Sequence, residues 1–297
     1  MNPCKGMLAG FIMLLALAVA AQEYDWDWAL AAGGAAGDKA LSVAADSSGN
    51  NCVTGTFQGT AQFGDTILSG NGAGNVFVAR ADGQGSWLWA RNAGGTGENR
   101  GNAIALDGAG NVYVAGNFTG SVCFGYTTLE CVGQQDVFIA KLDPQGNWLW
   151  AARAGGAYAV ASGLHIQADS AGNAFISGSF AGNISFGEDH MSSTGGTDIF
   201  TARIDPEGNW LWAKQAGGSG ADVCHAVELD PDGNILLAGR FEGNASFGPL
   251  SLTSNGFEDI FAAKLDAYGD WLWAAGAGGP LNDHASDIIS DTEGDLY

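Results

Sequence analysis

The chain has 297 residues, 46% of them hydrophobic and 10% aromatic, with 32 acidic against 11 basic side chains and a formal net charge of −21. So much apolar and aromatic material excludes an intrinsically disordered chain, and 48 Gly alongside only 14% charged residues excludes a helical bundle. The excess of acids disfavours nucleic acid as a partner, because a phosphate backbone is repelled.

The first predicted element is a leader. Lys5 precedes an uncharged, mostly apolar run from Met7 to Ala21, and Ala18-Val19-Ala20 fits the small-x-small cleavage pattern. This is the signature of a secretory signal peptide over residues 1–21. The expected protein is secreted or held at the cell surface. No later run reaches the ~20 apolar residues that span a bilayer, so no transmembrane segment is expected after cleavage. Cys4 leaves with the leader. Cys52, Cys123, Cys131 and Cys224 remain, and none has the C-x-x-C spacing of zinc or redox sites.

From Trp26 onward the chain repeats itself. All ten Trp fall in five W-x-W pairs, whose second members are Trp28, Trp89, Trp150, Trp212 and Trp273, spaced by 61, 61, 62 and 61 residues. D-x-x-G-N starts at Asp46, Asp107, Asp169 and Asp230, with a variant at Asp291. Phe57, Phe118, Phe180 and Phe241 share one register, as do Phe77, Phe138, Phe200 and Phe261. Each period reads as four short strands. In the second these are Ala103–Leu106, Val112–Ala115, Val137–Ala140 and Trp148–Ala151, nearly continuous in apolarity and so covered on both faces. Asp opens each D-x-x-G turn and Gly takes the left-handed position, while Pro144, Pro206 and Pro231 hold the second turn position. Four antiparallel strands in every 61 residues describe an all-β fold, a β-propeller of four-stranded blades. A β-solenoid is the alternative, disfavoured by its usually much shorter coils. The blades are expected over roughly 38–93, 99–154, 160–216 and 221–277. A partial fifth covers 283–297, residues 25–32 offer a ring-closing strand, and the chain reads as a truncated fragment.

W-L-W-A-x-x-A-G-G, D-x-x-G-N-x-Y-V-x-G and D-x-F-x-A-K-L-D-x-x-G-N resemble the SBBP β-propeller repeat of secreted bacterial proteins, across essentially the whole chain after the leader. The first repeat departs with Asn75 where the others have Asp136, Asp198 or Asp259. The resemblance implies a secreted or surface-exposed propeller, usually without an assigned activity.

Loops that vary over a constant scaffold are where binding concentrates. The inter-blade loops place Asp38, Asn99, Asp222 and Asp283 at one register before the innermost strands. A ring of such groups suits a cation or a sugar; the alternative is that each caps a turn. Asp230-Pro231-Asp232-Gly233-Asn234 spaces its acids as calcium loops do, but turn chemistry already accounts for it. The W-x-W pairs put two aromatics on one strand face and are expected to fill blade-to-blade interfaces. Arg80, Lys141, Arg203 and Lys264 recur, and repeated ion pairs with neighbouring Asp are expected. Cys123 and Cys131 are replaced together in other repeats, which points to a disulfide across a small hairpin. No G-x-S-x-G, H-E-x-x-H or P-loop is present. His165, His190, His225 and His284 occupy unrelated registers, and His225 and His284 are the weak catalytic candidates. The reading is therefore a binding, adhesion or structural scaffold for an extracellular protein or carbohydrate, without cofactor. The alternatives are an extracellular glycan lyase or hydrolase and a calcium-stabilised spacer.

Overall fold

Four copies of one antiparallel sheet follow one another along the chain. The computed structural model describes residues 27–297, so the predicted leader and Trp26 lie outside the described residues. The first repeat runs β1 (Lys39–Ala45), β2 (Asn51–Phe57), β3 (Thr60–Phe63), β4 (Thr66–Ser69), β5 (Asn75–Ala81) and β6 (Trp87–Ala93). The second has β7 (Asn99–Leu106), β8 (Val112–Phe118), β9 (Ser121–Phe124), β10 (Thr127–Glu130), β11 (Asp136–Leu142) and β12 (Trp148–Ala154). The third has β13 (Val160–Ala168), β14 (Ala174–Ala181), β15 (Asn183–Phe186), β16 (Asp189–Ser192), β17 (Asp198–Ile204) and β18 (Trp210–Gly218). In the fourth, β19 (Val223–Leu229) and β22 (Trp271–Ala277) flank β20 (Ile235–Phe247) and β21 (Leu250–Leu265), which run through the small hairpin without a break.

Each sheet is ordered first, second, third and outer strand, as in β1-β2-β5-β6, with the small hairpin beside it. The D-x-x-G turns make this order local. Gly110 N donates to Asp107 O at 2.9 Å while Asp107 Oδ1 accepts from Ala109 N and Asn111 N, and Oδ2 from Asn111 Nδ2 at 2.7 Å. Gly110 completes the turn at φ +80°. The two middle strands lie deepest: every residue of β5, β8 and β11 is buried.

Successive sheets join in one repeated way. β7 lies against β1, β13 against β7 and β19 against β13, so the first strands adjoin. Ile104 N donates to Ser42 Oγ at 3.3 Å, and Asn117 Nδ2 to Ala161 O at 2.7 Å. The Gly-Gly after each W-x-W strand pairs with the small hairpin of the next sheet, through Gly33 with Gln62, Gly94 with Cys123, Gly155 with Ser185 and Gly217 with Ser246. Glycine is required there, because a Cβ at Gly95 would overlap the carbonyl oxygen of Ser121.

The two Trp of each pair face opposite ways, against the expectation of one face. A bulge explains it: Arg80 pairs with Trp89 but Ala81 with Trp87, leaving Leu88 as the extra residue. Trp87 packs edge-on to Phe63 of its own sheet at 5.2 Å, as Trp148 does on Phe124 and Trp210 on Phe186. Trp89 instead reaches the next sheet, donating Nε1–H to Pro144 O at 3.0 Å. Trp150 does the same to Pro206 O and Trp212 to Ala267 O. Only the second Trp of each pair fills the junction between sheets.

Two further expectations change, on the disulfide and on the ion pair of Arg203. Cys123 and Cys131 are free thiols, not a disulfide. The tight hairpin pairs Phe124 with Thr127 and Cys123 with Thr128, so Cys131 falls one residue past the ladder, its N–H on Gly120 O. Residues 27–32 lie outside the ladders, and Gly33 after them makes a single bridge to Gln62. Within the partial fifth repeat, residues 289–297 form one narrow hairpin, with Ile289 and Tyr297 exchanging backbone hydrogen bonds at 3.1 and 3.0 Å. Of the four repeated bases, Arg80 pairs with Asp46 (2.5 Å), Lys141 with Asp107 (3.9 Å) and Lys264 with Asp230 (2.5 Å). Arg203 reaches Ala267 O at 2.7 Å and lies over the Phe175 ring instead of pairing. Among the described residues no ladder joins the first sheet to the fourth, and no helix is long and apolar enough to cross a membrane.

Candidate functional site

The four loop residues chosen from sequence sit at four of five equivalent positions, the third of the five being Ala161, and each is held locally. Asp38 Oδ2 accepts from Gly34 N at 2.6 Å, Asp222 Oδ2 from Gly218 N at 2.7 Å and Asp283 Oδ2 from Gly279 N at 2.8 Å. The carboxylate thus caps the Gly-Gly peptide that follows the preceding W-x-W. Asn99 reverses the polarity, donating Nδ2–H to Gly74 O at 3.0 Å. No hydrogen bond or ion pair among the described residues links any two of the four; each is held in its own turn.

Asp222 differs from Asp38 and Asp283 in its surroundings. Like Asn99, it is fully buried. A side chain at Gly217 would meet Asp222 Oδ2 at 2.8 Å and Asp198 Cγ at 3.0 Å, so two buried carboxyls flank one point. Burial pushes Asp222 up to about 6; hydrogen bonds from Gly218 and Glu242 oppose this, while the charges of Asp198 and Glu242 add to it. At the matching place of the preceding junction, Arg153 Nη1 meets Asp136 Oδ2 at 2.8 Å. Here Gln215 Nε2 takes that place, on Asp198 Oδ2 at 2.5 Å, and supplies no charge.

The fourth repeat also gathers ionisable groups that the earlier repeats lack. Arg240 stands where they have Thr56, Asn117 and Ser179. Glu242 replaces Gln58, Thr119 and Ala181, and Glu258 replaces Gly74, Gln135 and Thr197. Glu242 and Glu258 face each other across β20 and β21. Glu258 is ion-paired to Arg240 through Oε1 and lies 2.7 Å from His284 Nε2 through Oε2. The His225 and His284 rings are 6.4 Å apart. Burial, then the Arg240 and His284 charges, hold His225 below its ordinary value; burial and His225 do the same to His165. The structure therefore brings together histidines that sequence registers left apart. A column-by-column comparison of the four repeats carries the signal, because three neighbouring positions change to charged residues only in the fourth.

The arrangement offers donors and acceptors side by side: a guanidinium, two imidazoles and two carboxylates at one end of one sheet. It holds no nucleophile and base in the order that acyl transfer needs. The Ser185 Oγ–His190 Nδ1 contact of 2.7 Å is an exposed cross-strand pair on the third hairpin, and no third group orients His190 among the described residues. The Asp230 turn spends its carboxylate on Asp232 N, Asn234 N, Asn234 Nδ2 and Lys264. No three His, Cys, Asp or Glu side chains group as metal ligands among the described residues.

No family model matches the chain. It is 24% identical over 229 residues, 64% of its length, to an uncharacterised WD repeat-containing protein, L264, of Acanthamoeba polyphaga mimivirus. It is 27% identical over 165 residues, 53% of its length, to the regulatory protein FlaEY of Caulobacter vibrioides. The matches span 16% and 17% of those relatives' own lengths. Among solved structures, a protein of unknown function from Bacteroides caccae aligns over 81% of this chain and 82% of its own, at 12% identity and a TM-score of 0.36.

Proposed function

We propose that this chain is a secreted or cell-surface β-propeller of the SBBP repeat type, acting as a non-catalytic binding scaffold. Its ligand-contacting end is the fourth-repeat cluster of Arg240, Glu242, Glu258, His225 and His284. The propeller reading is supported by adjoining first strands, by a sheet-to-sheet junction repeated three times, and by partial similarity to a WD repeat-containing protein. Export is supported by the leader pattern of residues 1–21 alone.

The observation that carries the binding role is the break in repetition. Packing is needed identically in every repeat, so charged residues placed in one repeat alone answer to something outside the scaffold. Paired carboxylate, guanidinium and imidazole groups suit the hydroxyls of an extracellular carbohydrate or the polar surface of a protein. Nucleic acid is disfavoured by the net charge of −21.

The test replaces Arg240→Thr and Glu242→Gln together with Glu258→Gln, removing all three charges. Binding of the mature chain to a panel of extracellular polysaccharides and surface-protein fractions is then compared with the unaltered chain. Loss of binding with an unchanged melting temperature supports the reading; retained binding contradicts it.

A further inference from the structure

We propose that the cleft between the turns of the first and second sheets binds a phenol, whose ring enters where the later junctions carry an aromatic side chain of their own. Each repeated base faces one residue of the neighbouring second strand. Lys141 pairs with Tyr113, Arg203 with Phe175 and Lys264 with Leu236, but Arg80 pairs with Cys52. Lys141 Nζ lies 4.8 Å from the Tyr113 ring and the Arg203 guanidinium 5.4 Å from the Phe175 ring, both within cation–π range. A cysteine side chain ends at its sulfur, so Cys52 offers Arg80 no ring. Beside Arg80 lies a cleft of about 450 Å³, with Asp46, Leu106, Gly110 and Pro144 also in its wall. Leu106 occupies the register of Ala168 and refills part of the room, yet it is only half-buried and forms an apolar side of the cleft.

Tyr113 is the template for the occupant. Its Oη lies 2.7 Å from Gly172 O and 3.1 Å from Asp107 Oδ2, so one phenol hydroxyl bridges the turn of its own sheet and that of the next. Asp46 and Gly110 hold the same registers at the first junction, and both line the cleft. Arg80 covers them loosely. Its Nη2 pairs with Asp46 Oδ2, while Nη1 stands 3.4 Å from both Gly110 O and Pro144 O, longer than an ordinary hydrogen bond. A phenol O–H can take Gly110 O at ordinary length while Arg80 moves over the ring and keeps Pro144 O, as Lys141 keeps Pro206 O at 3.3 Å. The site shares no residue with the fourth-repeat cluster.

The test adds p-cresol, the tyrosine side chain without its backbone, to the chain lacking residues 1–21 and follows binding by calorimetry and amide NMR. The expected result is one-to-one binding that raises the melting temperature, moves the signals of Asp46 and Gly110, and leaves those of Asp169 and Gly172 in place. Toluene, which lacks the hydroxyl, should bind at least tenfold more weakly. Cys52→Tyr supplies the ring from within and should raise the melting temperature while weakening p-cresol binding at least tenfold. Absence of binding at millimolar p-cresol, equal binding of toluene, or signals that move at Arg240 and Glu258 instead of Asp46 and Gly110 overturns the proposal. So does undiminished binding by a folded Cys52→Tyr chain. The toluene comparison and the signal map use the unaltered chain, so they decide the matter even where Cys52→Tyr fails to fold.

Discussion

The indole Nε1–H of Trp89 and the carbonyl oxygen of Pro144 are 3.0 Å apart, 55 residues from each other in the chain and in adjacent sheets. The same contact recurs between Trp28 and Gly83, Trp150 and Pro206, and Trp212 and Ala267. In each case the carbonyl belongs to the turn before the next outer strand. Identical junctions make the array a chain of nearest-neighbour couplings, in which stability is shared between each sheet and the contact to its neighbour.

Removing such a clamp should therefore cost more inside the array than at its end. Trp89, 8% exposed, packs in the cluster of Val76, Ile104 and Val114. Trp89→Ala should destabilise by about 3–5 kcal/mol in urea unfolding. Trp273, only partly buried against the cluster of Ala226, Leu236, Ala238 and Ile288, should cost less than half of that.

Turn geometry makes a second comparison. Gly146 sits at φ +81° with the Trp89 ring 2.7 Å from where a Cβ would be, whereas Gly233 has the same φ and open space. Gly233→Ala should show only the left-handed penalty, about 1 kcal/mol. Gly146→Ala must displace Trp89 as well and should lower the melting temperature several degrees further.

Acid should act on Asp222 in a defined direction. Its folded value is pushed up to about 6 by burial, against about 3.9 in an unfolded chain. Between those values the folded state binds more protons than the unfolded state, so this group's contribution falls as pH rises from about 4 to about 6 and is flat above. Asp222→Asn should abolish that slope and raise the melting temperature at pH 7.5. Comparison with the unaltered chain across this window isolates the group. Asp46 has the opposite sign: the Asn50 side chain, the turn amides and Arg80 outweigh burial and hold it low, so its stabilisation is lost on acidification.

The thiols should separate by accessibility. Cys123 is exposed and should react first with iodoacetamide. Cys131, half-buried and with its thiol raised by burial, should follow. Cys52 and Cys224 are fully buried and pushed up to about 11, so they should label only on unfolding. Peptide mapping without reduction checks all four.

What could be read in advance was what repeats. Asp107, Gly110 and Asn111 announce their turn because the side-chain and backbone requirements are local. The opposite aim of Trp87 and Trp89 could not be read, since it depends on a bulge that appears only when β5 and β6 are in register. Cys123 and Cys131 misled for a related reason: their joint replacement in other repeats says nothing of the one-residue offset set by a tight hairpin. The fourth-repeat cluster was legible at Arg240, Glu242 and Glu258, but only by asking where the repeats disagree. Its contact with His284 required the junction between β19 and the last hairpin.

Small-angle X-ray scattering of the chain lacking residues 1–21 tests the propeller reading most directly. If the adjoining first strands turn about a common centre, as proposed, the particle is compact, with a radius of gyration of about 19 Å and a single-peaked distance distribution. A radius well above about 25 Å, with the long tail of sheets strung out in line, would contradict it.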